Sequence, residues 1–396
     1  CIRDSNTGGT LNYTLDGTSK LQYAYPSNPK TSYLTWETIA TWNIGLDMSF
    51  LNSRLNFTGD YFIRDTEGML AKSYVLPSVF GAKEPKENCA DLRTKGWELS
   101  LNWNDSFALM GKRFNYTVSA SLGDNKTVIT KYNNPEKLLT DYYEGMVLGE
   151  IWGYRVDGLF TSDEEATEYT SKINQDFVNA RILSDKVDPY YRAGDLKFRD
   201  LDNNNVINKG DDTVYDPGDR EIIGNETPRY NYSFRLGADW NGFDLGIFFQ
   251  GVGKRDWYPN HLSTGFWGPY SRAFTSFIPE NFMDQCWSEE NPGGYFPRFR
   301  GYQTFKDSQL GVNNDRYLQN ASYIRLKNLT VGYTLPVLKK VFTKLRVYFT
   351  GENLWYWSPM KKYTKYIDPE AAGGNGNTGM AYNYSRNFSV GVDITF

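Results

Sequence analysis

The sequence predicts an all-β chain, a transmembrane antiparallel β-barrel with long extracellular loops, and three observations carry that expectation. Apolar and polar residues alternate with a period of two in one segment after another. No stretch approaches the roughly 20 consecutive apolar residues that a membrane-spanning helix needs, so a barrel is the other way across a bilayer. The connections between alternating segments sort into short and long ones. The aromatic content of 16% beside a mean hydropathy of −0.59 fits apolar residues spread along strands.

The first hairpin alternates Trp42, Ile44, Leu46, Met48 and Phe50 with polar residues, turns near Asn52 and Ser53, and continues through Leu55, Phe57, Gly59 and Tyr61. A second sets Trp97, Leu99, Leu101 and Trp103 against Phe114, Tyr116, Val118, Ala120 and Leu122. The third runs from Tyr230 through Phe234 and Trp240 into Asn241-Gly242, a strong two-residue turn signal, and returns through Phe243, Leu245, Ile247 and Phe249. Leu329, Val331 and Tyr333 reach a turn at Pro336 and are answered by Leu345, Val347 and Phe349. The last segment places Tyr384, Phe388, Val390, Val392, Ile394 and Phe396 on one side, with Ser385, Asn387, Ser389, Gly391, Asp393 and Thr395 on the other. About nine strands result.

Connections within each pair are short, whereas those between pairs, near 64–94, 123–228, 251–321 and 355–382, are long and polar. Transmembrane barrels sort their loops this way, with short periplasmic turns and long extracellular loops. The polar faces carry Asp47, Asp60, Glu98, Arg235, Asp239, Arg346, Glu352 and Asp393, which suit a wet interior and not lipid. Trp42, Trp97, Trp103, Tyr230 and Trp240 are candidates for the interfacial aromatic girdles. Strand parity puts residues 1–40 in an extracellular loop and keeps Ile151–Phe160 out of the membrane, inside the large loop. An odd number of strands cannot close an even-stranded barrel, so further strands are expected before Cys1.

Composition narrows the chemistry. Cys1, Cys89 and Cys286 lie far apart and define neither a zinc site nor a disulfide framework. The single histidine, His261, leaves no His-based triad or multi-His metal centre within this chain. A net charge of −4 without long basic runs argues against nucleic acid as a partner. The acidic run Asp163-Glu164-Glu165 reads as a solvated face rather than a glycosidase pair. No catalytic residue is expected.

The runs Asn43-Ile44-Gly45-Leu46-Asp47, Lys95-Gly96-Trp97-Glu98-Leu99, Asp157-Gly158-Leu159-Phe160 and Ile223 to Pro228 form an ordered series. It continues with Phe248-Phe249-Gln250-Gly251, Ala321 to Asn328 and Gly351-Glu352-Asn353-Leu354. Together they resemble the SusC-like (SusC/RagA) TonB-linked outer-membrane transporters, over almost the whole chain. The resemblance implies the C-terminal part, residues 1–396, of a 22-stranded barrel, with the N-terminal plug and early strands absent here. It also implies import of oligosaccharides or peptides driven through TonB, a SusD-like surface lipoprotein as lid, outer-membrane lipid around the barrel, and dimers of barrel–lid pairs. The alternatives are a non-transporting surface adhesin or glycan-binding barrel, a receptor for a metal chelate or vitamin, and a membrane-embedded glycan hydrolase.

Two constellations are candidate sites. Asp200, Asp202, Asn204, the Val206 carbonyl and Asp211 stand at positions one, three, five, seven and twelve of an EF-hand-type loop, which points to Ca2+ in residues 200–211. Asn205 occupies the position where glycine normally turns, and Asp replaces the longer Glu at the twelfth. Trp257, Tyr258, Trp267, Tyr270 and Trp287, with Phe266, lie in one Gly- and Pro-containing connection. Their flat faces suit stacking on sugar rings or gripping peptide side chains, and the competing role is to pack the loop's own core or the lid.

Overall fold

The computed structural model describes residues 5–14, 20–26, 31, 34–72, 85–179, 191–271, 278, 280–300, 309–336, 343–373 and 383–396. Among these, nine strands form one antiparallel sheet: β1 (Thr38–Phe50), β2 (Leu55–Lys72), β3 (Lys86–Leu109), β4 (Lys112–Lys131), β5 (Arg229–Trp240), β6 (Phe243–Lys254), β7 (Tyr323–Leu335), β8 (Lys344–Trp357) and β9 (Asn387–Thr395). Each strand pairs with its neighbours in sequence order, the meander of an up-and-down barrel wall. No described helix is long and apolar enough to cross a membrane.

The short turns follow from backbone chemistry. Asn241 (φ 51°) and Gly242 (φ 88°) both take the left-handed conformation that a two-residue I′ turn demands, and they hold Trp240 opposite Phe243. Met110 and Gly111 do the same between β3 and β4.

Three strands run further than expected. β2, β3 and β4 have 18, 24 and 20 residues, against the roughly 9–11 that cross a bilayer. Residues 64–72, 86–94 and 123–131, expected as loop, continue the ladder. Beyond the apolar slab a strand still satisfies its backbone by pairing but has no need of an apolar face, so alternation fades while the strand persists.

The chain divides into two compact units. The smaller comprises residues 1–43, 62–95 and 126–147. In it the Arg93 guanidinium grips Asp65 through two bonds of 2.6 and 3.0 Å. The Asn88 amide donates to the Gly68 and Thr35 carbonyls. A hairpin of Ser5–Thr14 and Lys20–Pro26 belongs to the same unit.

The larger unit comprises residues 44–61, 96–125 and 148–396. Its wall has two unlike faces. Ile44, Leu46, Val390 and Val392 are more than half exposed on the apolar one. On the other, polar side chains bridge strands: Ser121 meets Ser233 at 2.7 Å, Asn115 donates to Asp239, and Thr58 to Asp47. Arg346 holds Asp244 at 2.6 and 2.9 Å and Asp393 at 3.0 Å. An exposed apolar face opposite a hydrogen-bonded polar one is the inverse of a soluble sandwich and matches a wall between lipid and a wet interior.

The core lies outside the wall, in the long connections of the larger unit. Glu150–Tyr154 pairs with Arg220–Asn225, and Val156–Leu159 with Leu196–Phe198, so the segment 151–160 stays out of the nine-stranded sheet as parity requires. Helix α1 (Asp163–Lys172) packs Ala166 and Tyr169 against Phe160 and Tyr191. The main cluster unites Leu196, Phe198, Ile207, Trp257, Phe266, Trp267, Tyr270, Phe296, Tyr317 and Met360.

Candidate functional site

The aromatic connection is a folded core. Trp257, Trp267 and Tyr270 are 1% exposed or less. Trp267 stands edge-on to Phe266 and Tyr317, with centroids at 4.7 and 5.0 Å. Its indole N–H donates to the Pro259 and Asn260 carbonyls, and the Tyr270 hydroxyl donates to the Pro297 carbonyl at 2.6 Å. Tyr258 is half-buried, its hydroxyl donating to the Val312 carbonyl and accepting from the Asn314 amide. Burial raises the pKa values of the Tyr258 and Tyr270 hydroxyls, which are therefore neutral donors here. The faces of Trp257, Trp267 and Tyr270 are taken up by neighbouring rings, as the packing alternative requires, and a ring with no exposed face cannot stack on a ligand.

Trp287 differs. The Arg298 guanidinium lies 4.6 Å above its ring, while its indole N–H has no partner among the described residues. Gly194, at φ 86°, comes so close to the ring that a β-carbon there would lie 2.3 Å from it.

The acidic loop brings together a different set from the one its linear spacing suggests. Ligand oxygens of Asp200, Asp202 and Asp219 lie within 4.8 Å of one another. Asp200 accepts the Asn203 and Asn205 amides, Asp202 accepts the Asn204 amide, and Asn204 Oδ1 accepts the Val206 N–H. Asp211, the expected twelfth ligand, is not in the group; its N–H donates to Asp216 instead.

The reason is a reversal. Gly210 (φ 54°) and Gly218 (φ 58°) approach so closely that a β-carbon on Gly218 would lie 2.4 Å from the Gly210 nitrogen. This folds the chain back and delivers Asp219, fully buried, which accepts the Leu201 and Asn208 amides. Burial first, then the neighbouring Asp202 and Asp200 carboxylates, raises the pKa of Asp219. A cluster of hard oxygen donors whose charges repel one another is suited to a divalent cation such as Ca2+. Pro217-Gly218 was the available signal for the reversal, but a contiguous twelve-residue template looks past it.

The end of the wall beside the long connections carries a buried ion network that sequence reasoning did not single out. Arg325 on β7, 1% exposed, pairs with Asp368 and, at 3.1 Å, with Glu370; Lys327 holds Glu370 at 2.8 Å. The rings of Tyr356 and Tyr384 lie 4.7 and 5.2 Å from the Arg325 guanidinium. A bulge between Leu326 and Asn328 shifts the register there and brings Arg325 opposite Tyr356.

A two-faced antiparallel wall carrying a folded loop domain defines a fold class: the transmembrane β-barrel. No family model matches the chain. It is 27% identical over 412 residues to TonB-dependent receptor P26 of Formosa agariphila, covering 97% of this chain and 37% of the relative. It is 28% identical over 392 residues to TonB-dependent receptor P3 of the same organism, covering 92% and 34%. TonB-dependent receptor SusC of Bacteroides thetaiotaomicron is 24% identical over 387 residues, covering 94% and 34%. Among solved structures, that of the RagAB peptide transporter matches 100% of this chain and 39% of its own with a TM-score of 0.67 at 22% identity.

The chain thus has the fold of TonB-dependent transporter barrels and is similar over nearly its whole length to TonB-dependent receptors, SusC among them. It spans little more than a third of the length of the curated relatives it matches.

Proposed function

We propose that this chain is the C-terminal barrel portion of a TonB-dependent importer of oligosaccharides or peptides, working in the outer membrane with a SusD-like lid lipoprotein. The observation that carries the reading is the two-faced nine-stranded wall, matched along nearly its whole length to TonB-dependent receptors. The apolar face meets lipid, the polar face lines the passage, and the loop domain forms the outer mouth against which a lid closes. Oligomerisation as pairs of barrel–lid units belongs to the same proposal. The curated relatives carry receptor names, which supports a protein that binds and moves its ligand without cleaving it.

Energised cells expressing the complete receptor with its lid should accumulate fluorescent maltopentaose or a labelled pentapeptide, and collapse of the proton gradient should abolish uptake. Accumulation that persists without the gradient overturns TonB-driven import. Recovery of cleaved probe overturns the non-enzymatic reading.

In the same proposal Ca2+ binds Asp200, Asp202 and Asp219, with Asn204 and the Val206 carbonyl available at the loop's edge. The ion would supply charge neutralisation that locks the reversal onto the loop domain. Calorimetry should register Ca2+ binding to the receptor that D219N weakens and D211N leaves intact. Equal effects of the two variants would restore the contiguous twelve-residue arrangement.

A further inference from the structure

We infer that the apolar face of the wall binds one anionic, phosphate-bearing lipid between the opposed lysines Lys95 and Lys126, where β3 and β4 leave the hydrocarbon. The site stands on the reading above that this face meets lipid and is independent of import.

The placement follows from register and alternation. On the polar side the Thr94 and Thr127 hydroxyls meet at 2.8 Å. Further along the same two strands the Thr117 hydroxyl donates to Asn104 at 2.8 Å. Between these pairs the antiparallel neighbours β3 and β4 advance in step, so Lys95 stands directly opposite Lys126. Successive side chains point to opposite faces, so both lysines share the apolar side with Trp97, Leu99 and Leu101 on β3 and Leu122 on β4. The three leucines are exposed on that side. Lys95 is the first residue on it beyond Trp97, and both lysines are exposed. They therefore stand where the apolar run ends, at headgroup height, with stems that lie along the hydrocarbon and ammonium groups beyond it.

Directly opposed residues of a sheet hold their β-carbons about 4.5–5.5 Å apart, and like charges so placed repel. The carboxylates on this face do not relieve the two lysines. Asp65 is gripped by Arg93 at 2.6 and 3.0 Å. Asp124, between Leu122 and Lys126, is buried and taken by the Arg229 guanidinium. Glu67 and Asp91 lie further along the strands, beyond the Arg93–Asp65 pair, and Asp91 accepts the Gly68 N–H at 2.8 Å. Lys95 and Lys126 form no ion pair or hydrogen bond with a described residue, so the charge left over at this level is theirs. An anion between the two ammonium groups removes their repulsion and accepts two charge-assisted contacts. Lysine, a compact point charge, suits a phosphate. A lipid phosphate arrives at this height with its acyl chains against Trp97, Leu99 and Leu122, an anchorage that a free phosphate lacks.

The test uses the complete receptor, purified in neutral detergent and titrated with phosphatidylglycerol or with zwitterionic phosphatidylcholine of the same acyl chains. Native mass spectrometry counts the lipid retained. Wild type should hold one phosphatidylglycerol about twentyfold more tightly than K95Q/K126Q does, about fivefold for each lysine near an anionic headgroup. Both proteins should hold phosphatidylcholine equally weakly. K95R/K126R should keep the preference, and inorganic phosphate at the same concentration should leave the phosphatidylglycerol in place.

Phosphatidylglycerol should also raise the melting temperature of wild type and leave that of K95Q/K126Q unmoved. If the double variant does not assemble, K95Q and K126Q singly decide the matter, each expected to lose about fivefold in Kd. Equal retention of phosphatidylglycerol by wild type and the glutamine variants overturns the inference. Displacement by inorganic phosphate at the same concentration overturns the lipid as the source of the anion. Wild type that retains both lipids equally sinks the lysine site and leaves lipid contact standing. Retention of neither lipid would sink lipid contact on this face itself.

Discussion

Single residues hold the loop domain through placed charges. Ser162 accepts the Glu165 N–H at 3.1 Å at the start of α1, and Glu165 returns to accept the N–H and hydroxyl of Thr161 at 2.7 and 2.6 Å. This is a capping box shifted by one residue. Lys197 adds an ion pair to the same carboxylate at 2.8 Å. Lys197 first, then the Thr161 contacts, hold the pKa of Glu165 at about 2, well below the usual carboxylate range. A depressed carboxyl pKa contributes stability that is fully present above the unfolded value and is lost as pH falls through the folded one. Glu165→Gln should therefore cost about 1–2 kcal/mol near neutrality. The deficit should shrink as pH drops from about 4.5 toward about 2. Calorimetric unfolding of both proteins across that window measures it, and a deficit constant with pH would show that Glu165 acts through packing alone. The sequence displayed the acidic run as a solvated face, which describes Glu164; what Glu165 does depends on Thr161 and Lys197, a pairing made only once the chain folds.

At the scale of elements, legibility followed the environment. The hairpins at 50–55, 109–112 and 240–243 were readable because a strand with one face in lipid must alternate, and the last also because Asn241-Gly242 takes the positive φ its two-residue turn demands. The extensions of β2, β3 and β4 were not, because a paired strand in water is free to be polar on both faces. Neither was the role of the aromatic connection, since stacking rings and core rings share one composition. Trp267 separates the two roles. Its side chain is fully buried, bonded to two carbonyls and in contact with Phe266, Phe296 and Tyr317. Trp267→Ala should destabilise the loop domain by about 3–5 kcal/mol and make residues 257–320 susceptible to limited proteolysis, while the wall still assembles. Lost ligand affinity with unchanged proteolysis would return the ring to the binding surface.

For the molecule as a whole, the order of the nine strands was legible and the site largely was not, for one physical reason. Neighbouring strands are close in sequence, so turns and alternation specify the wall locally. The ion network joins residues 325–327 to 356, 368–370 and 384, and the acidic cluster joins 200–202 to 219, across reversals that no local pattern encodes. What alternation does specify is which face meets lipid, and β9 allows a sharp test because neighbouring residues answer oppositely. Val390, 77% exposed, lies on the apolar face opposite Phe349; Ser389 lies on the polar face opposite Thr350. Val390→Arg would place a guanidinium against hydrocarbon at a cost of about 2–4 kcal/mol near the bilayer midplane, whereas Ser389→Arg would place it in water at little cost. Assembly in the outer membrane, read as the fraction of receptor resisting urea extraction, should fall for Val390→Arg and stay near wild type for Ser389→Arg. Equal loss from both, or a greater loss from Ser389→Arg, would mean that the apolar face of this wall packs against protein and not against lipid.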